Sequence, residues 1–474
     1  MRGVFMFKTN FQKGLFTILV GLAIWFMPVP EGLKPQAMKI FAIFVATIVG
    51  FILHPLPIGA IALISVGLTG FLKVVKPAEA LAGFGNATIW LIVSAFLFAL
   101  GFIKSGLGKR IAYKIMAAIG SSSLKLGYTM AITDLIISPA TPSNTARGGG
   151  ILFPVVRSLC SAFESEPDEK SRKRIGAYLM KSTFQADCIT SSMFITSVAP
   201  NSLCVALAAQ AAGVNISWGG WALACIVPGL LALVICPYLI YKLFPPELKE
   251  TPEAPEIARK ELEAMGPMSS DEKTVLGVFL LALGMWATSS FTGFNATMIA
   301  LVCIGLMLCR HAIEWDDVIK EKGAWDTLVW MGGLMSLATA LNKSGFIAWF
   351  AKIVAANMGG ISGITALLIL AVIYMYAHYG FASLSAHVSA MFAAFVAVAV
   401  EAGAPAGLSA MALASLTGIM GGLTHYATGP APIYFGAGYL TQAEWWKIGF
   451  IVSVVNLICF LGVGTIWWKV IGLW

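Results

Sequence analysis

Charged residues are scarce in this 474-residue sequence. Asp, Glu, Lys and Arg together make up 11% of the chain, whereas hydrophobic residues make up 58%. A soluble globular domain carries roughly 25% charged residues, so these few charges cannot cover a surface that faces water. Long stretches carry no charge at all, for example those between Lys352 and Glu401 and between Glu401 and Glu444. The sequence therefore predicts an all-α, polytopic membrane protein.

Cysteine motifs are also absent. None of the eight cysteines belongs to a CxxC pair, and most lie in apolar stretches. We therefore expect neither disulfides nor a metal centre from them, and no cofactor. The formal charge of +8 lies largely between the apolar stretches, where Lys and Arg set orientation in the membrane. This charge does not indicate nucleic-acid binding.

The uncharged stretches indicate how often the chain crosses the bilayer. One crossing needs roughly 20 apolar residues, and several stretches hold two such lengths, so we expect about 11 transmembrane helices. The first lies within residues 1–35. A signal peptide would look similar, but no small-x-small cleavage motif follows, and residues 27–31 resemble a turn. We expect an uncleaved first span with a cytoplasmic N-terminus.

The two halves of the sequence resemble each other. TIWL at 88–91 and KSG at 104–106 have counterparts, TLVW and KSG, 239 residues later. Such repeats are typical of secondary transporters. Lys and Arg are frequent after the first KSG and rare after the second, which indicates inverted halves and an external C-terminus. We expect a first repeat over 36–244, a proline-rich cytoplasmic linker over 245–272 and a second repeat over 273–474.

The segment 138–150 interrupts an apolar region. Pro139 and Pro142 cannot sit inside a regular helix, and three consecutive glycines follow at 148–150. Irregular backbone at membrane depth occurs where it lines a cavity buried in protein, so we predict a re-entrant hairpin at about 128–157. Its tip would combine helix N-terminal N–H groups with short polar side chains, which suits a carboxylate. Those side chains are Ser143, Asn144 and Thr145. A solvent-exposed loop with helix caps is the alternative.

The second half offers weaker signals of the same kind. Its repeat position predicts a second hairpin at about 365–400, and unwound helices are expected near 197–201 and 425–431. We expect His387 to face the ligand, since it occupies the place of Thr145, although a structural or metal-binding histidine remains an alternative. Arg147 serves either the electrostatics of the site or an ion pair with Asp134 or Asp187.

Together, these motifs resemble the divalent anion/sodium symporter family of carboxylate carriers. The Ser143-Asn144-Thr145 triplet matches the signature of that family. Residues 141–149, 381–387 and 425–430 are similar to the branch of citrate/succinate and tartrate/succinate antiporters and plastid 2-oxoglutarate/malate translocators. The resemblance implies a scaffold domain, a transport domain that slides in an elevator motion, and a homodimer. It implies that the triplet contacts a substrate carboxylate, with the site completed by Ser385, His387, Asn201, Thr428, Gly429 and Pro430.

The sequence departs from the sodium-coupled members at Ala386 and Ala431, where side-chain oxygens of a second sodium site would be expected. We therefore predict a sodium-independent exchanger of di- or tricarboxylates such as succinate, malate, 2-oxoglutarate, citrate or tartrate. Arg147 and His387 would supply charge compensation, and the protein would reside in the bacterial inner membrane. A sodium-coupled symporter is the alternative. An enzyme or a channel fits less well, since neither an activated nucleophile nor a ring of charges is evident.

Overall fold

The computed structural model describes residues 9–357 and 361–474. Within that range the chain is helical, and its one β-type contact is an isolated bridge between Ser122 and Glu250. This confirms the predicted all-α class. The first predicted segment, 1–35, contains α1, which begins at Asn10, and the start of α2; residues 1–8 lie outside the described range.

The first half of the chain forms eleven α-helices within the described residues. Their bounds are α1 Asn10–Trp25, α2 Pro35–Leu53, α3 Ile58–Phe71, α4 Pro77–Ala80, α5 Ala87–Ser105, α6 Leu107–Ile119, α7 Ser123–Ile137, α8 Phe153–Ala162, α9 Gly176–Met193, α10 Ala199–Ala212 and α11 Trp218–Leu243.

The linker and the second half form the remaining helices. Their bounds are α12 Ala254–Met265, α13 Ser270–Ala287, α14 Ser289–Thr292, α15 Ala296–Cys309, α16 Trp315–Lys320, α17 Lys322–Lys343, α18 Phe346–Ala356, α19 Gly363–Ala377, α20 Leu384–Glu401, α21 Ala406–Ile419, α22 Pro430–Gly436, α23 Gln442–Leu457 and α24 Gly464–Val470.

Six helical stretches among the described residues are long and apolar enough to cross a membrane, judged by length and composition. They are 35–53, 87–105, 218–243, 363–380, 384–401 and 442–470, and shorter apolar helices such as α3 and α15 accompany them. Large apolar side chains are exposed on several of these helices, for example Leu63 on α3 and Val302 on α15. Exposed apolar side chains on long apolar helices are what a lipid-facing surface requires.

The internal repeat is visible in the backbone. In each half a long helix ends at a glycine, from which a short helix continues: Gly106 joins α5 to α6, and Gly345 joins α17 to α18. Both glycines have a positive φ, 79° and 84°, which a residue without Cβ adopts without strain. Their separation of 239 residues equals the offset in the sequence, so the motif KSG marks the same turn twice.

Four breaks interrupt the helices in and around the expected site. Helix α7 ends at Ile137, and a short 3₁₀ turn, Ser138–Ala140, precedes a π-helical segment, Thr145–Leu152. The corresponding break in the second half is a 3₁₀ turn at His378–Gly380, between α19 and α20. The chain is also irregular between α9 and α10 and between α21 and α22. Unwound backbone therefore occurs where proline, glycine and small polar residues cluster.

Helix α9 lies at the centre of the broken helices. All of its residues from Gly176 to Met193 are buried, although many are polar, and it packs against α7, α11 and α21. A helix that is buried all round and carries Lys181 and Asp187 must satisfy polar groups inside the protein. It therefore provides a polar interior against which the first hairpin segment rests.

Candidate functional site between the broken helices

The tip of the first hairpin segment is held by its own side chains and by the second half. Ser143 Oγ accepts a hydrogen bond from the Ala146 backbone N–H at 3.1 Å, which caps the segment that follows. Asn144 Nδ2 donates to Thr428 Oγ1 at 2.8 Å. Asn144 is 6% exposed and Thr428 4% exposed, so this bond lies inside the protein. It directly joins two residues that are 284 positions apart in the chain.

A second close approach lies beside this bond. A Cβ atom at Gly429 would overlap the Thr145 hydroxyl, so a glycine is required for the two segments to come this close. The next residue, Pro430, is buried in the first turn of α22, where a missing N–H costs no helical hydrogen bond. The structure thus brings together four predicted site residues, Asn144, Thr145, Thr428 and Gly429.

Arg147 is fully buried behind the tip. Its Nε donates to Asp134 Oδ1 at 2.6 Å, and its Nη2 lies 2.9 Å from Asp187 Oδ1. Its Nη1 also donates to the backbone carbonyls of Thr141 and Ser197, each at 2.9 Å. The sequence left open whether Arg147 serves the site or an ion pair. In the structure it makes ion pairs with both candidate carboxylates and hydrogen bonds to two unwound segments.

An asparagine stabilises the irregular segment between α9 and α10. Asn201 Nδ2 donates to the carbonyl oxygens of Ser191 at 2.7 Å and Phe194 at 2.8 Å, two carbonyls near the end of α9. Ser191 also accepts a bond from Arg147 Nη2 through its hydroxyl, at 2.8 Å. Asn201 Oδ1 is buried and has no hydrogen-bond partner within the described residues. Asn201 and Arg147 therefore both bond to Ser191, whereas Asn201 does not bond to Asn144 or Thr428 within the described residues.

The second hairpin segment contains a pair of histidines. His387 Nδ1 and His378 Nδ1 lie 3.0 Å apart, and His378 Nε2 lies 2.9 Å from the Ala427 carbonyl oxygen. Both imidazoles are fully buried. Ser385 is partly exposed, and its carbonyl accepts a bond from Ser389 at 2.6 Å. His387 was predicted from the sequence as a site residue, whereas the contact with His378 was not.

Two cavities in the protein lie away from this cluster. One of about 330 Å³ is lined at the starts of α5, α11 and α15 by residues such as Thr88, Trp218 and Asn295. The other, about 170 Å³, is lined by residues of α2, α17 and the segment around α4, such as Gln36 and Lys343. No hairpin residue lines either of these two cavities. We identify the site by the convergence of polar groups, since size alone carries no binding chemistry.

The acidic, cysteine and histidine side chains of the described residues do not converge on a metal site. Those residues contain no group of three His, Cys, Asp or Glu side chains placed to hold a metal ion. Three of the four histidines of the second half illustrate why: His378 and His387 pair with each other, while His425 accepts a hydrogen bond from Trp446 at 3.0 Å.

Comparisons with known proteins place the chain in a family. A family model described as the sodium:sulfate symporter transmembrane region matches residues 8–474. The chain is 50% identical to the "Putative malate transporter YflS" of Bacillus subtilis, over 97% of this chain and 96% of that one. It is 44% identical to the chloroplastic dicarboxylate transporter 1 of Spinacia oleracea, covering 97% of this chain and 81% of the relative.

Two further matches are also to transporters. The citrate/succinate antiporter of Escherichia coli strain K12 is 39% identical over 98% of this chain and 99% of its own. The crystal structure of the Alcanivorax borkumensis YdaH transporter shares the fold, with a TM-score of 0.60 at 13% identity over 98% and 97% of the two chains. The resemblance read from the hairpin motifs is thereby confirmed. The chain belongs to the sodium:sulfate symporter family, the divalent anion/sodium symporters, and is a multi-pass membrane transporter.

Proposed function

We propose that this protein exchanges di- or tricarboxylates across the bacterial inner membrane, with the site where the first hairpin tip meets the unwound segment of the second half. The observation that carries the proposal is the buried bond from Asn144 to Thr428, which joins the first hairpin tip to the unwound segment of the second half. The triplet at this tip supplies hydroxyl and amide donors without a fixed charge. Such a tip can bind a carboxylate and release it again.

Similarity supports the class of substrate. The relatives are described as transporters of malate, of dicarboxylates, and of citrate and succinate. These compounds share two or more carboxylate groups on a short carbon chain. One carboxylate would be bound by Ser143, Asn144 and Thr145. The rest of the substrate would meet Ser385, His387, Asn201 and the segment from Thr428 to Pro430.

Exchange without sodium is supported by what the second half lacks. Ala386 and Ala431 offer no side-chain oxygen for a cation, at the two positions where sodium-coupled members have one. Buried polar atoms that have no hydrogen-bond partner among the described residues, such as Thr141 Oγ1 and Asn201 Oδ1, would make an empty site costly to move through the bilayer. A carrier of this kind returns only when loaded. One relative is described as an antiporter, which agrees with this behaviour.

The resemblance to the same family is the basis for a proposed motion and assembly. We propose that the broken helices and hairpin segments form a transport domain that slides, as an elevator, along a scaffold fixed in a homodimer. The N-terminus would be cytoplasmic and the C-terminus external. The basic segments around α6 and before α9 would then lie in the cytoplasm, in agreement with the positive-inside rule.

Sodium-coupled symport is the second candidate. It is favoured by the unpartnered, buried Asn201 Oδ1, because a carbonyl oxygen without a donor is a suitable cation ligand. This oxygen lies beside one of the two unwound segments. A cation there would restore the need for sodium even if the second half binds none.

Counterflow in vesicles separates these candidates. The purified full chain is reconstituted into liposomes loaded with succinate, malate, 2-oxoglutarate, citrate or tartrate, or with none of these. We expect uptake of labelled succinate only into vesicles that contain a carboxylate, at the same rate in sodium and potassium buffers. Uptake driven by sodium into vesicles without a counter-substrate would replace exchange with symport. No uptake of any of the carboxylates under either condition would contradict the proposed function itself.

A further inference from the structure

Hydrogen bonds at two adjacent residues, Ala427 and Thr428, connect the two hairpin segments. From the first hairpin, Asn144 bonds to Thr428 at 2.8 Å, and the neighbouring carbonyl of Ala427 accepts from His378 Nε2 at 2.9 Å. His378 Nδ1 then meets His387 Nδ1 at 3.0 Å. The histidine pair and the tip that would hold the substrate therefore contact adjacent residues of one unwound segment.

The geometry of the pair fixes where its hydrogens lie when it is neutral. A carbonyl oxygen only accepts, so His378 Nε2 carries a hydrogen and His378 Nδ1 is a bare acceptor. The contact between the two Nδ1 atoms needs one hydrogen, which His387 must then donate. His387 Nε2 is left as a lone pair, and it has no hydrogen-bond partner among the described residues. The neutral pair thus ends in one buried, unused acceptor.

An unused acceptor is a poor neighbour for a carboxylate, which is itself only an acceptor. A proton on His387 Nε2 removes that conflict, because it converts the lone pair into a donor and gives the pair one positive charge. A positive charge on the pair would also balance part of the charge of a dianion, which the guanidinium of Arg147 does not do because it already pairs with Asp134 and Asp187. One added proton therefore removes the unused acceptor and supplies a positive charge, without a metal cation.

We propose that the His378–His387 pair is a proton-binding site that takes up one proton as a dianionic substrate binds, and carries it across with the substrate. The inference rests on the proposed function and deepens it by naming a co-transported ion. The proton comes from water on the loading side, adds to the His387 Nε2 lone pair, and leaves to water with the substrate on the other side. No bond to carbon changes.

The surroundings of the pair explain why proton and anion would bind together. The rings of Tyr374 and Phe381 lie against His387, with centroids at 4.5 Å and 4.7 Å. On the helices packed against α20, Cys204 of α10 is a buried thiol, while Lys39 of α2 and Lys352 of α18 are exposed. Glu401, at the end of α20, is exposed too. A charged imidazolium among aromatic rings is costly until an anion lies beside it.

Calorimetry measures the proton directly. Succinate is titrated into the purified full chain at a pH where free succinate is a dianion, in two buffers with different enthalpies of protonation. The difference in heat gives the number of protons taken up. We expect about one proton per succinate, and an affinity that weakens up to about tenfold for each pH unit of increase, as linkage requires.

Two variants assign the proton. In His387→Gln we expect the uptake to fall to zero and the weakened affinity to become independent of pH, because Gln forms hydrogen bonds without titrating. His378→Gln serves as a second test of the pair if the first variant does not fold. His425→Gln is the matched control: that histidine is partly exposed, bonds to Trp446, and should retain uptake of one proton.

The outcomes separate this inference from the proposed function. Succinate that binds to the unaltered protein with no proton uptake would overturn the inference and leave the carboxylate carrier intact. Proton uptake that persists in both variants of the pair would also overturn it. The absence of binding heat with any dicarboxylate or tricarboxylate would contradict the proposed function, and the inference with it.

Discussion

Replacing Arg147 with Gln is expected to destabilise the folded protein by about 3–5 kcal/mol and to abolish transport. The change removes the shared partner of Asp134 and Asp187, two side chains that are fully buried. It also removes donors to the carbonyls of Thr141 and Ser197, which lie in two different unwound segments. A buried carboxylate left without a partner costs far more than a lost surface ion pair.

The expected loss is measured as the thermal midpoint in detergent, followed by tryptophan fluorescence. Arg157→Gln is the matched control, because Arg157 pairs with Glu166 where both side chains are more than a third exposed, and its midpoint should hardly move. Adding Asp134→Asn to Arg147→Gln should recover part of the lost stability by removing one unpaired charge. A midpoint of Arg147→Gln equal to that of the unaltered protein would show that the buried ion pairs do not hold the hairpin.

Asn144→Ala is expected to lower carboxylate exchange by about 100-fold while leaving the fold intact. The side chain contributes one hydrogen bond to the structure, to Thr428, whose loss costs only about 1 kcal/mol. Hydrogen bonds to a charged group are worth about 1.5–3 kcal/mol each, so an amide that also binds the substrate accounts for the larger loss in transport. The effect should be the same for every transported carboxylate, because the proposed site would bind the group they share.

Initial rates of counterflow in proteoliposomes test this, with expression and thermal midpoint measured in parallel. Asn357→Ala is the matched control, since the side chain of that exposed asparagine, just after α18, bonds within the described part of the chain only to the Ile353 carbonyl one turn earlier. Its exchange rate should be unchanged. If Asn144→Ala exchanges succinate at the full rate, the tip of the first hairpin does not form the site.

Much of the fold could be predicted from the sequence because a membrane limits what a chain can do. Apolar stretches predicted the helices. The two KSG motifs marked the repeat, and Gly106 and Gly345 do occupy equivalent turns. Pro139 and Pro142 broke the first hairpin segment for a local reason, the missing N–H and the fixed backbone angle. Such signals lie within a few residues of the structure they determine, so a single sequence contains them.

The contacts that organise the site could not be predicted in the same way. His378 pairs with His387 because a 3₁₀ turn brings α19 and α20 together, and neither residue type requires the other. Arg147 had two candidate carboxylates in the sequence, and the structure uses both. The bond from Asn144 to Thr428 spans 284 positions, a distance over which spacing carries no information. Three-dimensional packing decides these contacts.

A density map of the full-length protein with bound succinate is the most direct test of where the anion lies. We expect one carboxylate of the ligand within about 3 Å of the Asn144 amide, a normal hydrogen-bond distance, beside Thr428 and the second hairpin segment. Ligand density confined to the cavity near Thr88 and Trp218, with the hairpin tip unoccupied, would contradict that location.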